Sequence, residues 1–220
     1  MSLTNFSQSA DSGNFELCPA ESLPVRLTGL FALGTQQVTF EGVTKPTPQV
    51  ELRFEVCDPE TMRSDGKPFL LTRKLKLSLH PKAGLRKLLE AWRGKPYADS
   101  ELGSVDFTKM LGVPGLATVQ HIERAGRTYA NLAGVTKLPR GMSAAQQVTP
   151  TQLFDFDADD ALAALEIIPK WTREVIEKSP EFAALVQKAT PAPAPARPAA
   201  PPPPAPAGSG FDDMDDDIPF

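Results

Sequence analysis

The chain has 220 residues, 23 of them proline, with few aromatics and a net charge of −4. That length admits one domain with appendages or two small ones, and the proline content excludes a chain that is packed core throughout. The charge is polarised: residues 21–142 hold 18 Lys+Arg against 12 Asp+Glu (+6), residues 143–220 hold 5 against 13 (−8), and residues 1–20 contribute −2. A basic body with an acidic tail predicts a polyanionic partner for the first and a basic partner for the second.

Residues 1–20 are polar and weakly patterned, which predicts a flexible arm. From Leu23 the sequence alternates through Val25, Leu27, Gly29, Phe31 and Leu33, a strand signal. Gly34 to Pro48 reads as a loop, because Gly42, Pro46 and Pro48 interrupt it. Val50, Leu52, Phe54 and Val56 predict a second strand whose other face carries Glu51, Arg53 and Glu55. After the turn-rich stretch from Asp58 to Pro68, Phe69 to Leu79 predicts a third strand. Its polar face offers Thr72, Lys74, Lys76 and Ser78.

Leu85, Leu88, Leu89 and Trp92 then fall at helical spacing, with Gly94 just past the end, so Trp92 is expected in the core. Lys82, Arg86, Lys87 and Arg93 lie off that stripe. A short helix near Phe107–Leu111 leads to strands at Leu116–Ile122 and Thr128–Val135, joined at Ala125-Gly126 as a hairpin. Three strands, a helix and a two-strand hairpin is the element order of an OB-fold, a five-stranded barrel that binds oligonucleotides. The expected class is therefore mainly β: that barrel, with one helix between strands three and four, followed by short helices and a disordered acidic tail. The domains read as a flexible arm at 1–20, the OB-fold at 21–142, a helical region at 143–188, a linker at 189–210 and an acidic tip at 211–220. The helices are predicted at 159–168, 171–178 and 181–188, with Trp171 as a packing residue. Their docking on the barrel and their use in self-association both stay open.

Little points to catalysis. His80 and His121 are spaced neither as a metal pair nor beside a nucleophile motif, and there is no phosphate-binding P-loop or nucleophile elbow. Residues 155–160 lack the Gly and the closing Glu of a calcium loop. Cys18 and Cys57 stand alone, so they read as ordinary thiols of a reducing compartment rather than zinc ligands or a disulfide framework. No enzyme, metal or cofactor is expected. The sequence shows no long apolar run and no charged-then-apolar leader, so a cytoplasmic protein without a membrane partner is expected.

Single-strand binding needs cations along the backbone path and rings for base stacking. The candidate cations are Arg53, Lys74 and Lys76 on the strand faces, Lys45 in the first long loop and Arg127 at the last hairpin. The candidate rings are Phe40 and Tyr129. The hairpin and its exit, Arg127-Thr128-Tyr129-Ala130-Asn131 through Lys137-Leu138-Pro139, are similar to bacteriophage-encoded single-stranded DNA-binding proteins over roughly residues 23–140.

The sequence closes on an Ala/Pro linker and then five carboxylates within Asp212–Asp217, followed by Ile218, Pro219 and Phe220. In polyproline form, at about 3.1 Å per residue, the linker reaches roughly 60 Å. Asp215, Asp216, Asp217, Ile218, Pro219 and Phe220 resemble the tip of bacterial single-stranded DNA-binding proteins. That resemblance implies recruitment of replication, recombination or repair proteins, in the host cytoplasm if the protein is viral. The expected partners are single-stranded DNA and tip-binding enzymes. Duplex DNA stays open, because backbone electrostatics do not separate the two. The rival reading is an adaptor or decoy that captures tip-binding proteins and binds no DNA. Oligomeric state is not legible.

Overall fold

The computed structural model describes residues 16–189. Alternation and β-branched content give three strands before the first helix: β1 (Ser22–Phe40), β2 (Val43–Val56) and β3 (Leu70–Lys76). The apolar stripe forms α1 (Gly84–Arg93), followed by a single turn α2 (Asp99–Leu102) and a 3-10 turn at Phe107–Met110. Next come β4 (Pro114–Arg124) and β5 (Arg127–Thr136). The chain then adds β6 (Gln152–Phe154), α3 (Ala161–Glu166), α4 (Lys170–Ile176) and α5 (Pro180–Ala189).

The fold is mainly β. Its strand order is β3-β2-β1-β4-β5, antiparallel at every step, with β6 joining β1 in parallel at Gly29–Phe31. No ladder joins the edge strands β3 and β5 among the described residues. They approach nonetheless, and the Arg73 guanidinium of β3 donates to the carbonyls of Leu132 (3.0 Å) and Ala133 of β5. A side chain spans the seam where a backbone ladder would close a barrel.

Two apolar layers sandwich the sheet. On one face Leu23, Val25, Leu27, Leu52, Phe54, Leu71, Val119 and Leu132 pack under the α1 stripe. Trp92 meets the edge of Phe54 at 5.4 Å between centroids, and its Nε1 donates to the Pro114 carbonyl at 2.8 Å. On the opposite face Phe31, Leu33 and Phe154 pack against Ala161, Leu165, Ile168 and Ile176 of the C-terminal helices. Irregular register at Leu27/Gly29 and Ala32/Gly34 rotates β1 so that it serves both layers.

Several expectations are corrected. Residues 34–48 are not a loop: β1 and β2 continue as a long hairpin closed by Glu41-Gly42, both at positive φ (49° and 77°). Ala125-Gly126 closes the second hairpin in the same way (49° and 72°), as two-residue turns matched to strand twist require. Of the predicted arm, residues 16–20 are anchored: Cys18 is buried, its carbonyl meets His121 Nε2 at 2.8 Å, and Glu16 accepts the Ser64 amide at 2.7 Å. Arg86, off the helical stripe, is nearly buried and bonds Glu90 and the carbonyls of Leu79 and Tyr97. Residues 143–188 are continuous with the sheet through β6. Trp171, expected to pack, is 62% exposed, because the face of α4 turned inward is Thr172 and Ile176, at i and i+4.

The second layer makes Phe154 structural and leaves Trp171 outside it. Phe154→Ala is expected to lower unfolding free energy by about 3–5 kcal/mol, and Trp171→Ala by no more than about 0.5 kcal/mol. Urea denaturation of the two variants checks this, and equal losses would contradict it.

Candidate nucleic-acid interface

Arg53 is the one candidate cation that the fold removes from solvent. It stands opposite Gly29 on β2 and is 3% exposed. Its Nη2 lies 3.3 Å from Glu51 Oε1 and 3.4 Å from the Thr172 hydroxyl, and its Nη1 donates to Gln152 Oε1 at 3.1 Å. The guanidinium carbon sits 4.5 Å from the centroid of the Phe31 ring. A side chain at position 29 would collide with this stack, since an added Cβ would fall 2.5 Å from Phe31 Cε2. Burial pulls the Arg53 pKa below its ordinary value, opposed by the Glu51 charge and hydrogen bond. Its residue type suggested a phosphate ligand, but the covering helices make it a buried structural cation.

Glu51 and Glu55 on the same face are buried as well. Thr172 donates its hydroxyl to Glu51 Oε1 at 2.9 Å, and Glu55 accepts the amides of Val148 and Thr149 at 2.6 and 2.7 Å. Alternation implied a solvated polar face on β2. The structure covers it with residues 145–176, which donate to Glu51 Oε1 and to both oxygens of Glu55, while the buried Glu51 Oε2 accepts no hydrogen bond among the described residues.

Beyond that cover the outer face of β3 is open. Leu70, Thr72, Lys74 and Lys76 are exposed on it, over about 20 Å at strand rise. Lys74 is partly committed, its Nζ 3.7 Å from Glu51 Oε2. Lys76 makes no ion pair among the described residues and pairs in register with Gln49. Lys45 lies four residues further along β2 from Gln49, exposed on the projecting hairpin and likewise without an ion pair among those residues. Alternation puts Lys45, Thr47 and Gln49 on the β3-facing polar side, so Lys45, Lys76 and Lys74 form one series. Phe40 pairs through its backbone with Val43, and its side chain lies outside the described part.

The other end of the track is the β4–β5 hairpin. Since β3 and β5 run in the same direction and Arg73 meets Leu132 and Ala133, three residues back along each strand brings Leu70 and Tyr129 to the same end. Both are outward and exposed, at 47% and 46%. Tyr129 pairs with Ile122, Asn131 with Gln120, and Arg127 directly faces Arg124. Two exposed guanidiniums in register across a hairpin repel, and neither makes an ion pair among the described residues. An anion between them would relieve that repulsion.

The fold thus joins Lys45, Lys74, Lys76, Arg127 and Tyr129 along an outer surface and withdraws Arg53. Arg124 and Leu70 were missed. The two-residue turn could have revealed Arg124, whereas Leu70 needed the β3–β5 approach. The tip residues Asp215, Asp216, Asp217, Ile218, Pro219 and Phe220 lie outside the described residues. Among the described residues no group of three His, Cys, Asp or Glu is arranged to hold a metal, and no helix is long and apolar enough to cross a membrane.

Removing one member of the buried pair should be costly. Arg53→Ala leaves the Glu51 carboxylate in the interior and is expected to lose about 3–5 kcal/mol, while Arg53→Met with Glu51→Leu recovers most of it; urea midpoints of the three proteins measure this. The thiols give a second test. Burial first, then Glu21 for Cys18 and Glu55 for Cys57, pushes both up to about 11. An unfolded thiol ionises near about 8.5, so this part of native stability is complete below that value and declines as pH rises toward 11. A thiol reagent at pH 8 should label both cysteines only after denaturation.

Comparison with protein-family models finds no match, and comparison with curated proteins finds no significant relative.

Proposed function

We propose that the protein binds single-stranded DNA along the outer surface of β3 and β5 and recruits partner proteins through its acidic tip. The observation that carries the reading is the alignment of unpaired cations with exposed apolar side chains. Lys45 and Lys76 lie toward one end, Arg124 and Arg127 at the other, with Leu70 and Tyr129 beside the latter pair. A backbone needs positive charge along its path, and its bases need flat or apolar surfaces. The strand order, with a helix after the third strand and edge strands that approach, is consistent with an OB-fold, whose sheet face and flanking hairpins serve this use. Base-edge readout has little part in this mechanism, so binding should tolerate sequence changes and weaken with salt.

The tail carries the second half of the proposal. Residues 215–220 resemble the partner-binding tip of bacterial single-stranded DNA-binding proteins, with Phe220 as apolar anchor and the aspartates as electrostatic guides. The same tail supports the adaptor or decoy reading, in which no DNA is bound.

A labelled oligo(dT) titrated by anisotropy at several salt concentrations tests the proposal. Single-strand binding predicts a log–log salt slope of about −0.7 per phosphate neutralised. Lys45→Glu/Lys76→Glu/Arg127→Glu should flatten that slope by about 2 and weaken low-salt binding at least ~10-fold. Absence of wild-type binding at low salt would leave the adaptor reading, and equal affinity for duplex would broaden the specificity. Deleting residues 211–220 should abolish capture of a purified tip-binding replication enzyme while oligo(dT) binding persists.

A further inference from the structure

The β4–β5 hairpin presents an ordered outer face of which the DNA-binding reading uses only part. Its register decides which side chains share that face. Val119 pairs with Leu132, both buried in the core, and Ala130, opposite His121, packs against the same core. The rows between and beyond those two therefore point outward: Gln120 with Asn131, Ile122 with Tyr129, and Arg124 with Arg127. All six are exposed except the half-buried Ile122. β3 extends two of these rows. The Arg73 guanidinium reaches the Leu132 carbonyl, and one residue back along each strand stand Thr72 and Asn131, both outward and exposed. Leu70 likewise stands with Tyr129.

The outer face is thus graded along the hairpin. A cation row lies at the tip, then, about 7 Å nearer the body, an apolar row of Ile122, Tyr129 and Leu70, and about 7 Å further a row of Gln120, Asn131 and Thr72. Lys74 follows Thr72 on β3. No carboxylate stands in these rows, because Glu123 lies on the opposite face, paired with Thr128. Gln120 and Asn131 face each other across the ladder, yet their side chains and that of Thr72 make no hydrogen bond among the described residues.

We propose that Gln120, Asn131 and Thr72 form a contact row for nucleobase edges, so that the hairpin holds bases by their edges as well as by their faces. This inference rests on the single-strand reading above. A base laid on Tyr129 and Ile122 loses water from part of its polar edge, and a donor or acceptor left unpaired there weakens binding. Uncharged groups suit that edge, since a lysine in their place would draw a phosphate instead. An amide carries donors and an acceptor, a hydroxyl carries both, and each can turn to present either. The row therefore meets any base without selecting among them, in keeping with the sequence tolerance expected of the track. Phosphates are left to the arginine row on one side and to Lys74 on the other.

DNA without bases isolates this contact. The full-length protein is titrated at low salt, by anisotropy, with labelled oligo(dT), oligo(dC) and an abasic strand of the same length. The wild type is expected to bind both oligonucleotides more tightly than the abasic strand. Gln120→Ala/Asn131→Ala should weaken binding of oligo(dT) and oligo(dC) at least about 5-fold, which two hydrogen bonds supply, with abasic binding and the urea midpoint unchanged. Lys76→Glu is the opposite control and should weaken all three probes alike, because it acts on phosphates. Equal losses on all three probes in the double variant, or no loss on the oligonucleotides, would overturn the inference and leave the DNA-binding reading standing. Wild-type affinity that ignores the bases would do the same. A loss confined to one of the two oligonucleotides would overturn it as well, since the row would then be selective. Absence of wild-type binding to every probe would overturn both readings.

Discussion

The fold depends on one buried ion pair in the middle of its sheet. Arg53 and Glu51 stand two residues apart on β2, on a face that a two-layer β protein with one helix would leave to solvent. In water such a pair contributes little. Under α4 it becomes demanding, because each charge taken from solvent must find several partners. The structure supplies them: Gln152 from β6, Thr172 from α4, and the Phe31 ring, which Gly29 leaves room for. The polar centre of the second face and its apolar surround are therefore mutually dependent. Phe154, Ile176 and Leu165 belong to the apolar layer on that face, and the pair's hydrogen bonds tie β2 to Gln152 of β6 within the sheet and to Thr172 of α4 above it.

Covering that face decides where the remaining charge can act. Arg26 is committed to the carbonyls of Ala145, Gly112 and Ala144, Arg73 to the β5 seam, and Arg93 to Glu101. Of the cations that stay exposed, Lys45, Lys76, Arg124 and Arg127 lie on the projecting β1–β2 hairpin, the outer face of β3 and the tip of β4–β5, while Lys82, Lys87, Lys95, Lys137 and Arg140 are exposed elsewhere. Net positive charge was an incomplete guide, since much of it is internal wiring. The proposed track follows what that wiring leaves over. Lys74 belongs to both: its ammonium faces solvent while balancing a buried carboxylate, so it couples the second core to the surface.

The sequence by itself determined the central parts of the first five strands, α1 and the Ala125-Gly126 turn. Alternation in Val50–Val56, the helical stripe ending in Trp92 and Ala125-Gly126 each act through local geometry, which residue type controls directly. It also disclosed the acidic tip, a message written in contiguous residues. Tertiary structure alone decided the rest. The period of two marks which residues share a face but not whether that face is later covered, so Arg53 looked solvated. Gly42 and two prolines masked a hairpin held by long-range pairing. β6 is three residues long, too short for a periodic signal, and exists because β1 has a free edge beside it. Whether Trp171 packs or projects was set by which side of a seven-residue helix met Glu51, and no spacing within that helix encodes the partner. Local pattern is carried by neighbours in the chain, whereas burial and charge pairing are carried by neighbours in space, such as Thr172 and Glu51, 121 positions apart.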